Sequence, residues 1–402
     1  MDFAFTPEQE ELARTVRAFA ARELAPRSRD WDRSSVFPKD TWLQMGELGL
    51  LGLRIPVEYG GVDASYVMVG IAMEELARGD FSCTYGIQLA ALAGEILGKN
   101  GHPEICRQWL PRVARGESPM ALALTEPSAG SDAAALQCRA RRDGDAFVIT
   151  GEKSGISLGM AADAAIVFAR DAAAGDGAST RRGRVAPEPG TARVSARGVS
   201  AFLVPLDAPG VSRSALRDLG SHAVGRAVLS FDQVRIPASH LIGAEGSGFH
   251  QVMRGFDYNR VAIALACLGI AEISLEETMA YVRERTTFGR PLARYEGVSF
   301  PIAEAATQLE AARLLCYRTL WHADRGEPHT KEAAMVKWWA PRIARETIHQ
   351  CLLLHGHYGY TDELPFEQRL RDVIGLEIGD GSAEIMKIIV ARELMGRESL
   401  PY

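Results

Sequence analysis

The sequence predicts an α+β chain in three consecutive parts: an N-terminal α-helical domain over residues 1–120, a middle antiparallel β domain over 121–236 and a C-terminal four-helix bundle over 237–402. Two observations carry this. Apolar residues recur with helical spacing at both ends of the chain. Between them the texture changes to short β-like runs punctuated by Gly, Asp and Pro. The size agrees: 402 residues, 47% hydrophobic and 24% charged, suffice for two or three domains with sizeable cores.

The first helix is signalled by TPEQEELARTVRAFAARELA, in which Thr6 stands as a cap, Pro7 and acids occupy the first turn, and Leu12, Val16, Phe19 and Ala20 fall on one face. PKDTWLQMGELGLLGL and YVMVGIAMEELARG repeat the type. Strands follow in DAFVITGEK, AAIVFAR, SAFLVPL and RAVLSFDQVRI. Residues 171–198 hold five arginines and no aromatic residue or periodicity, so the expectation there is a mobile surface loop. Long helical segments return in GFDYNRVAIALACLGIAEISLEETMAYVRERTT, VSFPIAEAATQLEAARLLCYRTLWHADRG and TKEAAMVKWWAPRIARETIHQCLLLHG, the pattern of an antiparallel bundle.

Composition narrows the function. A formal net charge of −6 carries no global basic footprint, against a nucleic-acid binder. No stretch approaches twenty uninterrupted apolar residues and the start has no apolar signal core, so a cytoplasmic protein off the membrane is expected. Six cysteines without a CxxC pair read as reduced, buried thiols. His355 and His357 form an H-x-H pair, but no second cluster of ligands lies near it in sequence, so a packing role is the better reading and no metal is expected. GAEGSGF at 243–249 is weak as a phosphate loop, with neither a βαβ unit before it nor GK[ST] after it.

Asp380 raises a sharper question. In LEIGDGSAEI it lies between two glycines, just ahead of a helix marked by Ile385, Ile388, Ile389, Ala391 and Leu394. It either caps that helix or serves as a base on a glycine hinge, and Ser382 is also placed to cap.

Six stretches occur in order over this layout: LTEPSAGSD, GEKSGISLG, FDYNR, ERTTFGRPL, HGHYGYTDELPFEQRLRD and IGDGSAEIMKIIVAREL. Together they resemble the acyl-CoA dehydrogenase family over nearly the full length. The resemblance implies an FAD enzyme that removes the α-proton and β-hydride of an acyl-CoA thioester and passes electrons to an electron-transfer flavoprotein, with a homotetramer as the expected assembly. Such chemistry needs a carboxylate base and hydrogen bonds to the developing enolate, while the flavin takes the hydride. It also implies roles for particular residues. Leu122, Leu124, Thr125 and Ser131 match the isoalloxazine wall, with Ser131 near the pantetheine as well, and Ser157 matches a flavin-contacting Thr. Arg285, Thr287 and Phe288 match the segment reaching a neighbouring subunit's FAD. Asp257 and Arg260 match the pair holding CoA. Asp380 is then the base, flanked by Gly379 and Gly381 at the substrate and by Ser382 on the cofactor side.

Four departures bear on the substrate. The family base is usually Glu followed by Gly, and here it is an Asp, about 1.3 Å shorter in reach. A minority of the family carries Glu where this chain has Asn259, which cannot accept a proton. Gly155 replaces a Trp that packs on the flavin, and Gly379 stands where an aromatic residue often lines the acyl cavity; losing both widens the pocket. Leu353 and His357 replace a Gln and a Gly near the cross-subunit FAD contact. A short base in a wide pocket suits a bulky ring, and the Asp base with S-x-I-S-L looks most like enzymes for cyclohexanecarboxyl-CoA. Rival expectations are a carrier-protein-linked acyl dehydrogenase, a nitroalkane-oxidase-like flavoenzyme and a non-catalytic paralogue.

Overall fold

A computed structural model describes residues 4–171 and 197–396. The segment expected to be a loop, 171–198, lies outside the described residues except for its two ends. The N-terminal part contains α1 (Pro7–Phe19), α2 (Ser28–Ser34), α3 (Lys39–Glu47), α4 (Tyr66–Ala77), α5 (Thr84–Ala93) and α6 (Pro103–Ala114). Thr6 caps α1 as its sequence indicates: its hydroxyl accepts from Gln9 N–H at 3.3 Å while the Gln9 side chain accepts from Thr6 N–H at 3.0 Å. In contrast, α5 is buried on every side, so its sequence shows no polar face.

The middle part is one sheet in the order β6-β7-β3-β2-β4-β5-β8, with β1 beside β4. The strands are β1 (Met120–Ala123), β2 (Arg139–Asp143), β3 (Ala146–Ile156), β4 (Ala164–Asp171), β5 (Val199–Pro205), β6 (Val211–Ala215), β7 (Ala227–Pro237) and β8 (Leu241–Ile242). The expectation of an antiparallel domain needs a correction, because β4 runs parallel to both β1 and β2, making the sheet mixed. Period-two alternation reports which face a residue occupies and says nothing about which non-consecutive strand lies alongside.

The C-terminal part holds α7 (Gly248–Glu284), a hairpin of β9 (Thr286–Thr287) and β10 (Arg290–Pro291), then α8 (Glu296–Asp324), α9 (Thr330–Leu354), α10 (Phe366–Ile378) and α11 (Ala383–Met395). Among the described residues five helices therefore stand where four were expected, since the hinge at 379–382 divides the last segment in two. The N-terminal helices join this bundle through close backbone approaches. A side chain on Gly269 of α7 would lie 2.1 Å from the Glu74 carbonyl of α4. A side chain on Gly70 of α4 would strike Leu320 and Leu265. The buried apolar residues of all three parts form one continuous core.

The six cysteines are buried and unpaired, as expected. His355 is buried, stacked 4.2 Å from Tyr281 and 4.5 Å from Phe366, and no metal-ligating cluster exists among the described residues. Among them, no helix is long and apolar enough to cross a membrane.

Candidate active site

The site is organised by the hinge between α10 and α11. Ser382 caps α11, its hydroxyl accepting from Ile385 N–H at 3.4 Å, so the cap does not need Asp380. Asp380 adopts φ +54°, a left-handed conformation that Asp tolerates better than most residues, and Gly381 follows at φ +108°. A side chain at Gly381 would also meet the Met386 methyl at 2.5 Å. Gly379 has φ −62°, which any residue accepts, so its lack of a side chain is not demanded by the backbone.

Three elements hold the hinge. From α5, Gln88 Nε2 donates to Asp380 Oδ2 at 2.8 Å. From α7, Arg260 Nε lies 3.5 Å from the Asp380 carbonyl and Arg260 Nη1 pairs with Asp257 at 2.9 Å, while Thr330 donates to the other Asp257 oxygen at 2.6 Å. From α9, the buried Lys337 ammonium donates to the carbonyls of Leu376 at 2.7 Å and Gly381 at 3.1 Å, on either side of Asp380. Burial pushes the Lys337 pKa down to about 8, against the opposing pull of the Asp380 charge.

A second group faces the hinge from the sheet. Arg226, at the edge of β7, donates to the Tyr85 hydroxyl at 2.5 Å, to Asp218 at 2.9 Å and to the Ser157 hydroxyl at 3.3 Å. The Tyr85 oxygen, the bonded Asp218 carboxylate and the more distant Asp380 together raise the Arg226 pKa, and burial raises that of Tyr85. The turn after β1 is tied to β3 beside Ser157: Ser154 N–H donates to the Thr125 carbonyl at 3.0 Å. The fully buried Lys153 bridges the Leu124 carbonyl at 2.9 Å and Glu126 at 2.8 Å, and Glu126 accepts from the Gln137 and Cys138 N–H groups.

The structure thus brings Asp380, Gly379, Gly381, Ser382, Asp257 and Arg260 together, and places Leu122, Leu124, Thr125 and Ser157 along adjoining strands. Ser131 is exposed in the turn beyond Thr125. Arg285, Thr287 and Phe288 lie apart on the exposed β9–β10 hairpin, Phe288 at 94% exposure and φ +48°. Leu353 also faces outward. At Asn259 both amide atoms are buried without a partner. Sequence reading missed Gln88, Tyr85, Arg226 and Lys337. For Lys337 the signal was a lone cation in the apolar run AAMVKWWA, and for Tyr85 and Gln88 it was their i, i+3 spacing on α5.

Comparison with known proteins places this helix–sheet–helix chain, with Asp380 on the hinge between its last two helices, in a class of flavoenzymes. Sequence models of the acyl-CoA dehydrogenase N-terminal, middle and C-terminal domains match residues 6–117, 121–234 and 246–395. The mitochondrial short-chain specific acyl-CoA dehydrogenase of Rattus norvegicus is 36% identical over 97% of this chain and 90% of its own. Among solved structures, a glutaryl-CoA dehydrogenase from Mycobacterium smegmatis in complex with FADH2 aligns with a TM-score of 0.88, at 28% identity over 98% of this chain and 96% of that one. The prolyl acyl carrier protein oxidase AnaB aligns with a TM-score of 0.88, at 26% identity over 98% and 100%. The chain belongs to the acyl-CoA dehydrogenase family; it is an oxidoreductase acting on acyl-CoA, with FAD as its cofactor. The residues present fit that cofactor: beside Ser157 and Thr125, Gly155 sits at φ +69° with no atom within 4 Å of where its Cβ would project, leaving a clear face for a flat ring.

Proposed function

We propose that this enzyme dehydrogenates the α,β-bond of a bulky or alicyclic acyl-CoA thioester such as cyclohexanecarboxyl-CoA, with Asp380 taking the α-proton. One observation carries the base. Asp380 is released from capping by Ser382 and held at the hinge by Gln88, while the other position a base occupies in this family is Asn259. FAD, when bound, supplies the two-electron acceptor for the β-hydrogen. The chain does the rest: Asp380 Oδ holds the proton, the Asp380 N–H faces the thioester oxygen, and Arg260 with Asp257 secures the CoA portion. Gly155 and Gly379 both support a wide acyl space, since neither carries a side chain and the volume beside Gly155 is open.

In this reading the turn at 122–131 with Ser157 and Ser382 contacts the cofactor, and Arg285, Thr287 and Phe288 reach the FAD of a neighbouring copy in a homotetramer. The exposure of Phe288 supports that contact. An electron-transfer flavoprotein in the cytoplasm is the acceptor we favour. Likeness to a carrier-protein oxidase supports a second reading, a carrier-linked acyl group on the same base. The intact Asp257–Arg260 pair favours CoA over that reading and over a nitroalkane.

Asp380→Asn tests the assignment. FAD content and CoA-thioester affinity should stay as in the unmodified enzyme while anaerobic flavin reduction falls by roughly 10²–10⁴-fold. Unimpaired reduction would remove Asp380 from the mechanism, and a purified protein that takes up no FAD would favour a non-catalytic paralogue.

A further inference from the structure

Between Asp380 and Ser157 stand two short polar runs, one through Gln88 and one through Tyr85 and Arg226, brought side by side by α5. Gln88 bonds the base, and Tyr85 lies one turn earlier on the same face of α5. The Tyr85 oxygen accepts from Arg226, whose Nε in turn reaches Ser157. Tyr85 and Gln88 are only 4% and 5% exposed. A substrate whose α-carbon meets the base and whose β-carbon turns toward Ser157 must lay its acyl group along these residues. Plain hydrocarbon there would leave unmet any bonding capacity that these groups do not already use on one another, which costs roughly 5- to 150-fold in affinity for each unmet group.

We propose that the acyl site selects a ring thioester bearing a neutral oxygen, a hydroxyl or ketone, bound by the Tyr85 hydroxyl and the Asn259 amide; this rests on the alicyclic reading above. The Tyr85 oxygen is engaged as an acceptor by Arg226, which strengthens its O–H as a donor, and the Ser221 hydroxyl beside it competes with a ligand oxygen for that proton. Asn259 is an independent observation. It is fully buried, neither its Nδ2 nor its Oδ1 has a partner, and it precedes Arg260, which reaches the backbone of the base. An orphaned amide in such a place is binding capacity awaiting a donor–acceptor group, which a hydroxyl supplies. The oxygen is neutral because the Arg226 charge is already matched by Asp218 at 2.9 Å.

The test uses FAD-loaded enzyme under anaerobic conditions with cyclohexanecarboxyl-CoA, its 3-hydroxy and 4-hydroxy derivatives, glutaryl-CoA and butyryl-CoA, following flavin reduction. Calorimetric affinities for the corresponding ring-unsaturated thioesters give a readout independent of turnover. A hydroxylated ring should be preferred over the plain ring by about 10- to 100-fold in kcat/KM and in affinity. Tyr85→Phe should bring that preference to within about threefold. Asn259→Leu should weaken it while raising thermal stability, because an unpaired buried amide is removed. Equal handling of hydroxylated and plain rings, a preference that survives both substitutions, or a first choice of glutaryl-CoA would overturn the inference and leave the dehydrogenase reading standing. Preference for butyryl-CoA over every ring would overturn the alicyclic reading itself.

Discussion

Lys337→Met puts the hinge to its most direct test. The side chain is 1% exposed and its ammonium holds the carbonyls of Leu376 and Gly381, which bracket Asp380. Methionine matches its length and donates nothing, so two buried carbonyls lose their partner at about 1–3 kcal/mol each. The same substitution removes a costly buried charge. A pKa brought from the usual 10.5 of a lysine to about 8 means that the folded state resists protonation of Lys337 by about 3 kcal/mol. The sign follows from proton binding. Between pH 8 and 10.5 the unfolded chain keeps the Lys337 proton and the folded chain has released it, so wild-type stability gains from this group as pH rises through that window, whereas below pH 8 both states are protonated and the penalty is in force. Stability lost to Lys337→Met should therefore be modest at pH 7, where the two effects oppose, and should widen by about 2–3 kcal/mol by pH 10. Urea unfolding at the two pH values measures it. In parallel Asp380, the base proposed above, loses its anchor, and a displacement of about 1 Å should lower the rate of anaerobic flavin reduction on the order of a hundredfold. Parallel stability curves at pH 7 and pH 10, or wild-type reduction rates, would refute this account of the lysine.

Two further outcomes are expected. Gly381→Ala meets both a positive φ of +108° and the Met386 methyl, so it should cost about 1–3 kcal/mol in unfolding and slow flavin reduction more than it weakens CoA-thioester binding; a simple loss of affinity would count against the hinge. Asp372 is buried near Asp32 and Asp80, and burial raises its pKa from 3.8 to about 8. The folded state then holds a proton the unfolded chain releases, so this contribution is fully present below pH 4 and is lost as pH rises to 8. Asp372→Asn should be increasingly stabilised relative to wild type across that range in thermal melts, and a constant difference would contradict the protonated state.

Much of the fold was legible because it depends on local periodicity. Helical spacing located the first and last parts, Thr6 and Ser382 announced caps that the structure bears out, and scattered cysteines were correctly read as buried thiols. The Gly-Asp-Gly spacing marked a hinge. Strand neighbours were not legible, since β4 lies parallel to β1 and β2 through long-range pairing that no local pattern encodes. The same holds for the fifth bundle helix, created by a break whose consequence depends on how α11 packs.

Residue types in order along the chain were enough to identify the family: an acid at 380, an amide at 259, an Asp and an Arg at 257 and 260, glycines at 155 and 379. Only the tertiary structure decided what surrounds that acid. Gln88 and Asp380 are separated by 292 positions, and Tyr85 and Arg226 by 141. Hydrogen bonds and charges act over a few ångströms whatever the sequence separation. Residues that read in sequence as apolar helix and strand edge therefore become, once folded, the polar neighbours of Asp380 and Ser157.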